Sequence, residues 1–257
     1  MCRHHLLSRR GVIAPVLALP ALAGAALMPG RAVAADGETA REVFMRRVPA
    51  ATPAGIFLTL DACSGAFDTR IARYLVATGI VTTVFVTGLW MRQNPAGLEF
   101  LLAHRDLFAI ENHGARHIPP VLGSRAIFGI APAGDLESVR REVAHGGEAI
   151  VQATRQAPRW YRGATGFYSE AALAEIRRLG FGIAGYSFSA DAGASLSSAG
   201  VAARVRGARD GDVLVAHVNQ PERPSGAGLV AGLDDLVQRG VTFARLDGLT
   251  EADFIYR

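Results

Sequence analysis

The 257-residue sequence contains no lysine, so arginine supplies all 27 of its permanently basic side chains. Schiff-base sites, pyridoxal-phosphate anchors and Walker-type phosphate loops all need a lysine amine, and the sequence therefore excludes these three kinds of site. The G-x-S-x-G pattern of the serine-hydrolase nucleophile elbow does not occur either. The chemistry of the chain has to come from other side chains.

Long apolar runs are also lacking. Residues 11–28 are uncharged but are interrupted by Pro15, Pro20 and Gly24, and they fall short of the ~20 strongly apolar residues of a membrane-spanning helix. They follow Arg9-Arg10 and precede small residues, which predicts a twin-arginine signal peptide over residues 1–34 that is cleaved near Ala34 or Ala35. We therefore expect a periplasmic or secreted protein without stable membrane insertion, the alternative being an uncleaved anchor.

Excess charge and disulfides are missing from the remainder of the chain. The signal contains four arginines and no acid, which leaves 23 arginines against 23 acidic residues. Without a basic excess the chain lacks the electrostatic signature of a nucleic-acid-binding protein. Cys63 is the single cysteine beyond the signal, which suits folding in a reducing cytosol before export. Folded cargo of this route commonly carries a cofactor, so a metal site is expected.

The sequence beyond the signal predicts a tail over residues 35–54 and one α/β domain over residues 55–257. Apolar, β-branched runs alternate with amphipathic segments, which indicates a parallel sheet that is either closed as a barrel or doubly wound. Predicted strands cover 56–60, 80–86, 107–111, 159–162, 182–188, 212–217 and 241–246. Predicted helices cover 68–79, 96–105, 135–154, 169–179, 198–207 and 227–239.

Side chains suited to catalysis or metal binding stand at the ends of five predicted strands. Because sites in parallel sheets form at the carboxyl ends of the strands, we expect these side chains to meet. His113 and His117 are spaced i and i+4, which places both on one face of a helical turn and suits one Zn²⁺-type ion. The set comprises Asp61, His113, His117, Arg162, Asp191 and His217.

Five of these six residues also have a structural interpretation. Asp61 can bond the turn that follows it, and the two histidines can be solvated turn residues. Arg162 can belong to a structural salt bridge as readily as it can hold a carboxylate in a site. A lone histidine such as His217 is usually structural, although at the carboxyl end of a strand with an acid nearby it is a catalytic candidate.

In their order and spacing, the five motifs resemble those of the polysaccharide deacetylases of carbohydrate esterase family four, over about residues 55 to 250. The resemblance implies an irregular (β/α) barrel that removes acetyl groups from N-acetylated sugars with a bound divalent metal. It assigns Asp61 as the general base and places Arg162 against it. It also assigns His217 as the general acid, oriented by Asp191.

The resemblance further implies that His113 and His117 bind the divalent ion, with Zn²⁺ expected. The family's third ligand, the second aspartate of the first motif, is replaced by Ala62, and the glycine after it by Cys63. A methyl group cannot coordinate a metal. The resemblance is to a recognised Asp-Ala-Cys branch of the family, which disfavours simple decay of the site.

Three nearby side chains are candidates for the missing ligand: Asp61, Cys63 and Asp68. We expect Cys63 to point away from the site and to fill the position of the family's glycine, and Asp68 to cap the next helix. Water or Asp61 then completes a loose metal site. On this interpretation Ala62→Asp tightens metal binding, because it adds a charged oxygen.

The expected function is metal-dependent hydrolysis of N-acetyl groups on a polysaccharide or oligosaccharide. The expected partner is an N-acetylated glycan, with no nucleic acid; the oligomeric state is left open. Two alternatives use the same scaffold: a catalytically silent glycan-binding protein that has lost its metal through Ala62, and a metal hydrolase of small amides.

The export route can be tested in cells. Changing Arg9-Arg10 to a lysine pair is expected to leave the precursor in the cytoplasm, because the twin-arginine route reads the paired arginines. Fractionation and immunoblotting of the two forms measure this. Normal export of the lysine variant through the general secretory channel would contradict the prediction.

Overall fold

The computed structural model describes residues 32–33, 39–49 and 54–257. Apart from Ala32 and Val33, the predicted signal peptide over residues 1–34 lies outside the described residues. Among the helices of the described part of the chain, none has the length and apolarity needed to span a bilayer.

The described chain alternates strands and helices. The strands are β1 (Ala32–Val33), β2 (Thr39–Glu42), β3 (Met45–Arg47), β4 (Ile56–Ala62), β5 (Thr82–Val86), β6 (Phe108–Asn112), β7 (Trp160–Tyr161), β8 (Phe167–Tyr168), β9 (Gly182–Ile183), β10 (Phe188–Ser189), β11 (Val213–His217), β12 (Phe243–Ala244) and β13 (Phe254–Tyr256). The helices are α1 (Thr69–Thr78), α2 (Gly88–Gln93), α3 (Pro95–Ala103), α4 (Leu136–Thr154), α5 (Glu170–Arg178), α6 (Ser198–Arg206) and α7 (Ser225–Gln238), with 3-10 turns at Ala164–Gly166 and Glu251–Asp253.

A curled parallel sheet forms the centre of the protein. Its strand order is β10-β11-β4-β5-β6-β7-β9, and β12 also pairs with the start of β4. All of these pairings are parallel. The irregular (β/α) barrel expected from the sequence is confirmed as a curled half-barrel of this kind.

The register of the strands brings their carboxyl ends to one edge. His217 pairs with Asp61 across β11 and β4, and Asp61 pairs with Phe85 on β5. On the other side Asn112 of β6 pairs with Tyr161 of β7. Residues that follow these strands therefore meet at the same end of the sheet, as the sequence analysis predicts.

Alternation along β4 separates two apolar layers. Leu58, Leu60 and Ala62 belong to the core between the sheet and the helices. Phe57 belongs to a second cluster inside the curl of the sheet. Because side chains alternate between the faces of a strand, Asp61 shares the inner face with Phe57.

Local signals in the sequence fix the ends of the main helices. Asp68 begins α1 by accepting a hydrogen bond from the amide of Arg70 at 3.0 Å, and Gly79 ends it in the left-handed conformation. Asp135 begins α4 in the same way through the amide of Ser138 at 2.7 Å. These ends agree with the helices predicted from the sequence.

Several parts of the chain differ from the sequence-based expectation. The strand predicted over residues 182–188 is two separate strands, β9 and β10, which pair with β7 and β11. The predicted tail over residues 35–54 contains β2, which pairs with β8, and β3, which pairs with β13. Strands of three or four residues are too short to show periodicity, and their stability comes from partners distant in sequence. The helix α2 is also absent from the sequence-based prediction, because six residues are too few to show helical periodicity. Thr87 begins this helix by accepting a hydrogen bond from the amide of Trp90 at 2.8 Å.

Helix α4 packs closely on the segment that follows β6. A Cβ on Gly146 would lie 2.4 Å from Asn112 Oδ1 and 2.6 Å from the carbonyl carbon of Gly114. Real side chains do not approach so closely, so glycine permits this contact between the helix and the loop.

We expect Gly146→Ala to destabilise the protein by about 1–3 kcal/mol, because an added methyl group overpacks this contact. Urea unfolding followed by circular dichroism measures the change. Gly200→Ala on α6 is the matched control, since its Cβ would meet no backbone atom: it would lie 3.3 Å from the Ser197 hydroxyl and 3.8 Å from Leu196 Cβ. Equal stability of the two variants would show that α4 is not tightly packed on the loop.

Candidate metal and catalytic site

A buried ion pair lies at the base of the site. Arg162 is 1% exposed, and its Nη1 donates to Asp61 Oδ1 at 2.9 Å and to Thr59 Oγ1 at 2.7 Å. Its remaining donors bond the carbonyl oxygens of Ala184 at 3.2 Å and Gly185 at 3.0 Å. Each of the three guanidinium nitrogens therefore has at least one acceptor, as a buried charge requires.

The ion pair keeps Asp61 ionised. Burial alone raises the pKa of a carboxyl group, but the charge of Arg162, followed by those of His113 and His217, outweighs burial and lowers the pKa of Asp61 below its ordinary value. Asp61 is thus a carboxylate at neutral pH and is able to accept a proton.

Arg162 also fixes the first histidine. His113 Nδ1 lies 2.7 Å from the carbonyl oxygen of Arg162. A carbonyl oxygen only accepts hydrogen bonds, so Nδ1 carries a proton, and Nε2 presents a lone pair whenever the ring is neutral. That Nε2 lies 3.4 Å from Cys63 Sγ and 3.8 Å from Asp61 Oδ2.

The two histidines come together through a turn and not through a helix, which corrects the sequence-based interpretation of their spacing. Residues 113–117 are irregular, and His117 adopts a left-handed backbone with φ of 68°. The ring centroids of His113 and His117 are 4.9 Å apart. Glu142 on α4 holds the turn by accepting from the amides of Arg116 and Ile118 at 2.9 and 3.1 Å.

Cys63 points toward the histidines, contrary to the expectation that it turns away. Its Sγ and one ring nitrogen from each of His113 and His117 lie within 4.8 Å of one another. Burial raises the pKa of a thiol, but the charge of His113 outweighs it and holds the pKa of Cys63 well below the ordinary value. Two imidazoles and a thiol form a donor set that fits a divalent transition-metal ion.

The remaining candidate for the missing ligand, Asp68, has a structural role. Asp68 caps α1 and forms a salt bridge with Arg70 at 2.6 Å. This confirms the expectation that Asp68 acts as the helix cap. It leaves no reason to assign Asp68 to the metal site.

His217 and Asp191 form a second pair across the site. The backbone amide of His217 donates to Asp191 Oδ2 at 2.7 Å, and its Nδ1 lies 3.0 Å from Asp191 Oδ1. Nε2 is therefore the ring nitrogen that Asp191 does not engage, and the side chain of Cys63 also interacts with the ring. The His217 side chain is 18% exposed, whereas that of Asp191 is 2% exposed, so His217 is the member of the pair that a substrate reaches.

The comparisons with known proteins bear on this geometry. The family described as polysaccharide deacetylase matches residues 50–184, more than half of the chain. The chain belongs to the polysaccharide deacetylase family. As a member it is a hydrolase that acts on carbohydrate acetyl groups. No curated protein matches the chain.

Solved structures share the fold of this deacetylase at low sequence identity. Bc1960, a peptidoglycan N-acetylglucosamine deacetylase, has a TM-score of 0.65 and 18% identity, covering 81% of this chain and 92% of its own. An acetyl xylan esterase from Clostridium thermocellum in complex with cobalt has a TM-score of 0.60 and 21% identity, covering 74% and 87%. A BA3943 mutant, described as a family-four pseudoenzyme with restored activity, has a TM-score of 0.61 and 20% identity, covering 77% and 68%.

The deacetylase site includes residues that sequence reasoning missed. Thr59 and the carbonyl groups of Ala184 and Gly185 hold Arg162, and Asn219 donates to the carbonyl oxygen of Ser64 beside Cys63. Backbone carbonyl groups leave no mark in a sequence. The orientation of Cys63, in contrast, did leave a signal in the sequence. Cys63 stands two residues after Asp61, and side chains two residues apart lie on the same face of a strand.

Asp191 controls the protonation of His217. Burial lowers the pKa of a histidine, but the hydrogen bond and charge of Asp191 outweigh it and raise the pKa of His217 well above the ordinary value. Asp191→Asn removes that charge, so His217 is expected to lose its proton at a lower pH. Histidine-selective NMR titration of the metal-free protein measures this, with Asp234→Asn on the exposed face of α7 as control. An unchanged His217 titration in Asp191→Asn would contradict the assignment.

Proposed function

We propose that this deacetylase hydrolyses N-acetyl groups of a polysaccharide or oligosaccharide, using a divalent ion held by His113 and His117, with Zn²⁺ as the ion. The observation that supports this most directly is the placement of an ionised carboxylate, Asp61, and a protonated histidine, His217, at the strand-end edge where the histidine pair also lies. These are the base and the acid that amide hydrolysis needs. We further propose a periplasmic or secreted location, supported by the predicted signal over residues 1–34.

Asp61 acts as the general base. It is kept ionised by Arg162, and its Oδ2 faces the site at 3.8 Å from His113 Nε2. A water molecule between Asp61 and the acetamide carbonyl loses a proton to this oxygen as it attacks. A bound divalent ion supplies the Lewis acidity that polarises the carbonyl and acidifies water.

His217 acts as the general acid. An amine anion is a very poor leaving group, so the sugar nitrogen must receive a proton as the C–N bond breaks. Asp191 binds Nδ1 and raises the pKa of His217, which leaves the protonated Nε2 free to donate. The products are acetate and a sugar with a free amine, which is protonated in neutral solution.

We expect Asp61→Asn and His217→Ala each to lower deacetylation by about 10²-fold or more, the usual scale for loss of a general base or acid. Acetate released from N-acetylglucosamine oligomers by the zinc-loaded protein measures turnover, and calorimetry measures glycan binding, which both variants should retain. Arg141→Ala on the exposed face of α4 is the control. Near wild-type turnover in either variant would refute the role of that residue.

The same assay separates the alternative functions. A wild-type protein that binds the oligomers and releases no acetate is a glycan-binding protein. Release from small amides without release from oligomers identifies a small-amide hydrolase. Either result would overturn the proposed function.

A further inference from the structure

We propose that Cys63 is the third protein ligand of the metal site, so that the chain binds its divalent ion through two imidazoles and one thiolate. The resemblance to the family implies instead a carboxylate at position 62, which is Ala62 here. This assignment rests on the proposed metal-dependent function, but its test measures metal coordination and not activity.

The separation of the donor atoms fits a tetrahedral ion. With Zn–S of about 2.3 Å and Zn–N of about 2.0 Å, the sulfur and nitrogen ligands of a tetrahedral zinc site lie about 3.5 Å apart. Cys63 Sγ lies 3.4 Å from His113 Nε2. His113 is 1% exposed and turns this nitrogen, the one with the lone pair, into the site. His117 completes a set of donors within 4.8 Å of one another.

Strand geometry explains why the ligand has moved by one position. Strand β4 continues through Ala62, which is fully buried in the apolar layer between the sheet and the helices. A side chain at position 62 therefore faces away from the site. Cys63 comes two residues after Asp61 and falls on the same inner face. Thr87 holds it there, since its hydroxyl donates to the Cys63 carbonyl oxygen at 2.6 Å.

The carboxylates around the site have other partners or another role. Asp61 Oδ1 accepts from Arg162 at 2.9 Å, and its Oδ2 is the atom assigned to the base. Asp191 accepts twice from His217. Asp68 caps α1. Cys63 remains as the donor that faces both histidines, and it leaves Asp61 available as the base.

A thiolate ligand changes which ions the site selects. Sulfur ligands favour thiophilic ions such as Zn²⁺ and Co²⁺, whereas carboxylate sites also suit Mg²⁺ and Mn²⁺. The protein is therefore expected to bind Zn²⁺ and Co²⁺ in preference to Mg²⁺ and Mn²⁺. Ala62→Asp is expected to leave metal affinity unchanged and to lower stability, because it places a carboxylate in an apolar layer.

The experiment uses the full chain carrying Cys2→Ser, in which Cys63 is the single thiol. Addition of Co²⁺ to the metal-free protein should produce a sulfur-to-cobalt charge-transfer band in the near ultraviolet, and X-ray absorption of the zinc form should show one sulfur at about 2.3 Å. Cys63→Ser should abolish the band and weaken Zn²⁺ binding by at least ~100-fold, beyond the roughly 10–100-fold typical of losing an outer partner.

Two further variants make the result specific. Cys63→Asp should bind Zn²⁺ more tightly than Cys63→Ser does but give no charge-transfer band, because it supplies oxygen in place of sulfur. Ser64→Ala, at the adjacent position, should keep both the band and the affinity. Circular dichroism confirms that each variant is folded before metal is added.

The outcomes separate this proposal from the proposed function. Co²⁺ binding without the band in wild type, or Zn²⁺ affinity unchanged in Cys63→Ser, would overturn the ligand assignment even if deacetylation is observed. A charge-transfer band that Cys63→Ser removes supports the assignment even if no acetate is released, in which case only the deacetylase proposal fails.

Discussion

The buried contact between Arg162 and Asp61 organises the whole site. A guanidinium with almost no solvent exposure is costly to bury unless its donors are matched, and removing one partner of such a pair typically costs about 3–5 kcal/mol. Here Thr59, Asp61 and two backbone carbonyl groups match it. Its centre also lies 4.3 Å over the ring of Phe85, which adds a cation–π contact.

The same arginine connects the base to the metal ligands. Its side chain sets the charge and position of Asp61, while its carbonyl oxygen sets the tautomer of His113. Arg162, at the end of β7, thus determines the distance between the carboxylate of Asp61 and Nε2 of His113. The His217–Asp191 pair lies on the other side of β4 and depends on the pairing of β11 with β10 and β4.

Within this fold, chemistry is decided by individual side chains at the strand ends. Solved structures of similar architecture include deacetylases, an esterase and a pseudoenzyme mutant described as having restored activity. Fold similarity at this identity therefore leaves function to the site. In this chain Ala62 stands where the family has an aspartate, and the neighbouring Cys63 places a thiol on the inward face. The thiol and the two histidines keep three metal donors together.

The sequence by itself determined the strand and helix alternation, the parallel sheet and the residues at its carboxyl edge. These follow from local patterns: buried β-branched runs, the caps at Asp68 and Asp135, and polar residues where strands stop. Tertiary structure alone decided the direction of Cys63, the pairing of the short strands β2 and β3, and the turn that joins His113 to His117. The reason is physical. The face on which a side chain falls depends on where its strand stops, and a short strand depends on partners more than 100 residues away in sequence.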